Sequence, residues 1–294
     1  MKIGFVGIGN MGAHMARNLA AGGYDVTVLD AVPGRAQEFA AEHGCGSAET
    51  FADLAHCDAV ITMLPTGADV RALLLEEGDG GQGKGLAGSL KPDTLIIDMS
   101  SSEPVGTREL GAALAAKGLR LIDAPVSGGT IGADKATLTI MIGGDDGAAI
   151  DEATPALECM GGNLFRTGGL GSGHAVKALN NFVAASNFVA ASEAVIVGKR
   201  FGLDAETLLD VLNVSSGRNS ATDGAIKRFV LPETFAAGFA VGLMAKDVRI
   251  SRGLAEAMNA AAPLNAATTD IWNAAEQELG ADADFTAAYK TLDK

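Results

Sequence analysis

Six short runs in the first half of the chain are apolar almost throughout: KIGFVG (2–7), DVTVLD (25–30), DAVITML (58–64), TLIIDMS (94–100), RLIDAP (120–125) and TLTIMIGG (137–144). Their β-branched content and length predict strands. Residues 10–22, 33–43, 66–77 and 104–118, between them, carry helical spacing. Apolar strands alternating with helices predict a parallel sheet covered on both faces. Past about residue 165 the strand runs stop. Helical patterns follow over roughly 172–200, 204–213, 220–230, 242–260 and 264–279, with Asp204 an expected N-cap and Gly198 and Gly202 as closing punctuation. The shift predicts a boundary near 163–168: an α/β domain over 1–164, then an all-α domain over 165–294 built on one long helix.

That long helix changes the picture of the second half. Residues 174–197 could cross a bilayer by length, yet they contain Lys177, Asn180, Asn181, Asn187 and Glu193. A buried helix of a soluble protein is expected instead. Being apolar nearly all round, it should be covered by its own domain and by a second subunit, giving a homodimer or homotetramer. The net charge of −14 argues against nucleic acid or an anionic membrane as partner. The first residues, MKIGFVGIGNMG, have glycines where a signal peptide needs an apolar run. Cys45, Cys57 and Cys159 form no CxxC pair, so free thiols in a cytoplasmic setting are expected.

The segment GIGNMG places Gly7, Gly9 and Gly12 in the G-x-G-x-x-G spacing, directly after the first strand and opening a helix. In that context the first glycine allows a tight turn and the second lets backbone approach a diphosphate. The third lets helix and strand pack closely. Asp30 closes the second strand where a ribose-binding carboxylate belongs. The domain is therefore expected to be a doubly wound, Rossmann-type sheet binding a dinucleotide. A carboxylate repels a 2′-phosphate, so NAD is favoured over NADP; Arg35 lies near but lacks the usual adjacency. A second glycine cluster, GDGGQGKG (78–85), imitates a phosphate loop but has Gly85 where Ser or Thr would bind magnesium, and reads as a surface connection. His14, His43, His56 and His174 have no metal-site spacing, and no metal is expected. His174 is one turn before Lys177 and could line the same cleft or be packed.

GSGHAVKALNN (171–181) puts Lys177 in the first or second turn of the long helix, against the preference of a helix start for negative charge. Dipole and partial burial both disfavour the ammonium, which suits a group exchanging protons near neutral pH. Asn181, at i+4, can hold a hydroxyl or carbonyl beside it. The alternative is a lysine snorkelling to solvent. DAPVSGG (123–129) ends a strand with Ser127, Gly128 and Gly129, a run of N–H donors suited to a small carboxylate. DMSS (98–101) offers Ser100 and Ser101 to the cofactor. LMAKD sets Lys246 beside Asp247, which by itself reads as a surface ion pair.

GFVGIGNMGAHMARNL, ITMLP, IIDMSS, DAPVSGG, G-x-G-x-x-x-K-x-x-N-N and MAKD follow one another in this order over almost the whole chain. Together they resemble the β-hydroxyacid dehydrogenase family, which includes 3-hydroxyisobutyrate dehydrogenase and tartronate semialdehyde reductase. The resemblance implies Lys177 as the catalytic residue, with Asn181 and Lys246 lining the site and Ser127, Gly128 and Gly129 holding substrate. It implies cofactor contacts from Gly7, Ile8, Gly9, Asn10, Met11, Gly12, Asp30, Met63, Leu64 and Ser101. The DAVP segment after the second strand is closer to NAD-using 3-hydroxyisobutyrate enzymes than to members with an arginine there. A 6-phosphogluconate dehydrogenase would be a longer chain with a basic cluster, and imine reductases generally lack the lysine found here at 177. A non-catalytic interaction module would be expected to have lost Lys177. The stretch SSGRNSATD (215–223) falls where members differ and leaves the substrate open among small β-hydroxy acids.

Overall fold

In the computed structural model, residues 1–75 and 85–294 are described, so the 78–85 glycine cluster lies outside the described residues except for Gly85. The chain forms two compact units, Met1–Lys177 and Ala178–Lys294.

Among the described residues the first unit holds a nine-stranded sheet: β1 (Lys2–Val6), β2 (Asp25–Leu29), β3 (Gly46–Ser47), β4 (Ala59–Thr62), β5 (Leu95–Asp98), β6 (Arg120–Asp123), β7 (Val126–Ser127), β8 (Leu138–Gly143) and β9 (Gly161–Gly168). The order is β3-β2-β1-β4-β5-β6-β8-β7, with β9 pairing β8. The chain builds outward from β1 through β2 to β3, then crosses back to β4 on the other side of β1. The loops after β1 and β4 therefore diverge, opening a crevice at the strands' carboxyl ends. Alternate residues of the central strands enter opposite cores. Ile3, Phe5, Ile61 and Ile97 pack with Met15 and Leu19 of α1 (Gly12–Ala21) on one face. Val6, Val60 and Ile96 pack on the other with Leu74 of α3 (Gly67–Leu75) and Leu110 and Leu114 of α4 (Pro104–Ala115). Burial on both faces is why these strands read as unbroken apolar runs. Between α1 and α3 lies α2 (Arg35–His43).

Three features depart from the sequence pattern. The sheet is not wholly parallel: β8 runs antiparallel to β6 and β7, while β9 is parallel to β8. The strand β9, GGNLFRTG, crosses the boundary expected at 164, because its mostly exposed, polar residues give no apolar run. The helices α5 (Gly129–Asp134) and α6 (Gly147–Glu158) were also absent from the pattern; α6 carries Pro155 in its body, which obscures its periodicity.

The helix α7 (Ser172–Phe201) spans the division between the units. Beyond it the second unit comprises α8 (Ala205–Asn213), a π-helical segment (Ala221–Val230), α9 (Val241–Ala257), α10 (Pro263–Leu279), a short turn (Phe285–Ala288) and α11 (Tyr289–Leu292). Asp204 caps α8 as its sequence predicts, accepting from the Thr207 N–H at 2.8 Å. The core gathers Phe188, Val195, Val248 and the single tryptophan, Trp272, whose ring centroid lies 5.8 Å from that of Phe188. By length and composition α7 could cross a membrane, and half of its most apolar stretch is buried inside the chain. Leu179, Val183, Val197 and Phe201 remain exposed along it.

Candidate functional site

At the crevice, the Gly7–Gly12 turn is shaped by close approach. A Cβ on Gly12 would sit 1.9 Å from the Gly7 carbonyl oxygen, so only glycine lets α1 start this near β1. A Cβ on Gly9 would meet nothing within 4 Å among the described residues. This opening belongs to a cavity of about 460 Å³ lined by Ile8, Gly9, Asn10, Ala13, His14, Arg35 and Thr130. Among the described residues no side chain caps the start of α1, where Met11 stands; the Ala13 N–H is taken by the Gly9 carbonyl oxygen at 3.0 Å, and the positive end of the helix dipole faces the opening. An open glycine shelf at the positive end of a helix fits a dinucleotide diphosphate.

Asp30 is nearly buried, and its carboxylate braces this turn from below. One oxygen accepts from the Ile8 N–H at 2.9 Å; the other accepts from Val32 N–H at 2.9 Å and from Arg35 at 3.1 Å. Arg35, five residues away in sequence, is thus drawn directly onto the carboxylate and into the cavity wall. Across the crevice, Met63 and Leu64 follow β4, half-buried. The Leu64 N–H donates to the Ser100 hydroxyl at 2.9 Å. Ser100 is buried and spent on that contact, whereas Ser101 is half-buried. Ser127 ends β7, and exposed Gly128 and Gly129 follow at the start of α5.

Lys177, half-buried, stands in the second turn of α7. The start of that helix is held by a carboxylate from another element. Asp123, at the end of β6, accepts from Gly171 N–H at 2.7 Å and from His174 N–H at 2.8 Å, satisfying donors the helix leaves unpaired. Gly173 is glycine for the same reason: its Cβ would meet the Met141 carbonyl oxygen at 2.2 Å. The positive end of α7 is therefore met by buried negative charge, which lessens the penalty expected for a lysine there. His174 does not line a cleft. It is 1% exposed and enclosed by this network.

In the second unit Asn181, one turn after Lys177 on α7, is buried and held at both ends of its amide. Its Nδ2 donates to Asp247, and its Oδ1 accepts from Asn180 Nδ2 at 3.0 Å. Asp247, on α9, is 4% exposed, with Lys246 Nζ 3.6 Å from its other carboxylate oxygen. The Lys246–Asp247 pair is thus no surface ion pair. It is the setting of Asn181, and Asp247 joins the site as a residue whose only sequence signal was its place beside Lys246.

Comparison with known proteins gives the family. Residues 2–169 match the family described as the NAD binding domain of 6-phosphogluconate dehydrogenase. Residues 171–292 match the one described as the NAD-binding domain of NADP-dependent 3-hydroxyisobutyrate dehydrogenase. The chain is 38% identical to 3-hydroxyisobutyrate dehydrogenase of Pseudomonas aeruginosa, covering 99% of this chain and 95% of that protein. It is 34% identical to NAD-dependent L-serine dehydrogenase of the same organism, over 99% and 98%. With 2-(hydroxymethyl)glutarate dehydrogenase of Eubacterium barkeri it shares 32% identity over 100% and 95%. The structure of Mycobacterium tuberculosis 3-hydroxyisobutyrate dehydrogenase with L-serine superposes with a TM-score of 0.89 at 35% identity, over 100% and 99% of the two chains.

Proposed function

Because the chain belongs to the β-hydroxyacid dehydrogenase family, we propose that it catalyses the reversible NAD-dependent oxidation of a small β-hydroxy acid, such as 3-hydroxyisobutyrate, to its semialdehyde. The observation that carries this is the pinned start of α7, which presents Lys177 one turn before an Asn181 fixed by Asp247. Lys177 takes the hydroxyl proton as the carbon–hydrogen bond breaks, and returns it in the reverse direction. NAD held at the Gly7–Gly12 turn would supply the hydride acceptor. Asn181 orients the reacting oxygen. Ser127, Gly128 and Gly129 hold the carboxylate by N–H and O–H donors.

The substrates named for three of the relatives share one skeleton, HOCH₂–CH(R)–COO⁻, in which R is methyl, ammonium or a carboxyethyl group. This supports a primary alcohol β to a carboxylate as the substrate class here and leaves R as the variable. NAD is favoured because the Asp30 carboxylate, fixed at the end of β2, opposes a 2′-phosphate. Arg35 is its counterweight, already paired with that carboxylate. The exposed apolar side chains Leu179, Val183, Val197 and Phe201 support pairing of two copies through α7.

Four outcomes are expected. Lys177→Ala should lower kcat about 100-fold or more, the range for losing a positioned acid–base group, with NADH binding near wild type; comparable turnover would remove the lysine from the chemistry. Methyl esters of the substrate acids should react poorly, with the loss mainly in kcat/KM; an ester as good as the acid would exclude the carboxylate anchor. Wild-type kcat/KM should be higher with NAD than with NADP, and Asp30→Ser should narrow the gap; a native preference for NADP would show that Arg35 outweighs Asp30. Light scattering at micromolar concentration should give a dimer or tetramer, and a monomer would refute pairing through α7.

A further inference from the structure

The side chain of His174 is fully buried and cannot touch a substrate, yet its ring is surrounded by polar atoms. Nε2 lies 3.1 Å from the Ser100 carbonyl oxygen, which can only accept, so this nitrogen carries the proton and donates. Nδ1 is 2.8 Å from the Thr107 hydroxyl of α4, itself 3.1 Å from the Glu103 carbonyl oxygen. Two carboxylates flank the ring: Asp98 at 3.7 Å from Nε2 and Asp123 at 3.8 Å from Nδ1. Their oxygens are engaged elsewhere. Asp98 accepts from Thr62, Ser100 N–H and Ser102, and Asp123 from Gly171 and His174 N–H. Among the described residues no group of His, Cys, Asp and Glu is arranged to hold a metal, so this cluster is a brace.

We propose that His174 is a positioning residue for the dehydrogenase reaction: its ring locks the loop that follows β5, which bears Ser100 and Ser101, and the helix α4 to the turn of α7 that carries Lys177. The inference rests on the reading of Lys177 given above. An apolar side chain would fill the same space without the desolvation cost of a polar ring between two buried carboxylates. What the imidazole adds is direction, because it has two hydrogen-bonding nitrogens at a fixed angle on a rigid ring. Lys177 follows His174 by three residues, on the same side of a continuous helix, so a small tilt at one is carried to the other. A misplacement of about 1 Å in a reacting group can cost about 100-fold in rate.

The test compares His174→Leu, which fills the space without donors, with His174→Gln, whose amide N–H can still reach the Ser100 carbonyl. Turnover, NADH binding and amide hydrogen exchange over Gly171–Lys177 are read in each. The leucine variant should lose about tenfold or more in kcat, a fraction of the full misplacement cost. Its NADH affinity and KM for the hydroxy acid should stay within about threefold, and the Gly171–Lys177 amides should exchange faster. Glutamine should recover most of both losses. Should the leucine variant fail to fold, Thr107→Val removes the Nδ1 partner at constant shape and should give the same pattern more weakly. Wild-type kcat in the leucine variant, or equal losses in leucine and glutamine that track falling Tm, would overturn the proposal and leave His174 as packing alone. If the wild-type chain oxidises no hydroxy acid, the functional reading fails. The exchange rates would then still decide whether His174 holds this turn: unchanged protection in the leucine variant would overturn it.

Discussion

The structure turns on a buried carboxylate. Asp123 ends β6 with no exposure to solvent, and a charge so placed is costly unless its oxygens are filled. They are filled by Gly171 and His174, whose N–H groups are among the donors that every helix start leaves unpaired. Each partner serves the other: the buried carboxylate needs donors, and the helix start beside the end of β6 needs an acceptor. Their union dictates the glycines at 143 and 173, since a Cβ at either would collide with the carboxylate or with backbone beside it. It also fixes where the turn bearing Lys177 begins.

The same device recurs at other strand ends. Asp30, following β2, takes the N–H groups of Ile8 and Val32. Asp98, ending β5, takes that of Ser100. Where parallel strands stop and loops part, the ladder leaves backbone donors unpaired. In all three places an aspartate folded back on its own or a neighbouring loop supplies the missing acceptor. The crevice is thus lined by loops whose shape is set by carboxylates beneath them, with open space at Gly9.

Much of this was legible in the sequence. Strands buried on both faces announce themselves as apolar runs, and glycine spacing reports close approach, as at Gly12. Lys177 and Asn181 stood out because a polar pair in an apolar helix demands a reason. Illegible were the elements without such contrast. The edge strand β9 is polar and mostly exposed, and α6 is interrupted by Pro155. The roles of Asp247 and His174 were illegible for another reason. Each depends on partners far away in sequence, Asn181 for the one and Ser100 and Thr107 for the other, and no local pattern encodes such distances. The pairing of Arg35 with Asp30 was missed because a loop, rather than adjacency, brings them together.

The strand β9 has a practical consequence for anyone dissecting the chain. A fragment ending at 164, where the apolar pattern invites a cut, would keep the pairing of Leu138–Ile140 but strip Met141–Gly143 of their neighbours Phe165, Arg166 and Gly168. The bared backbone of that apolar strand would be a template for strands of other molecules. The same cut would deprive Asp123 of both its donors. A fragment carried through the opening turns of α7 keeps the edge covered and the carboxylate filled.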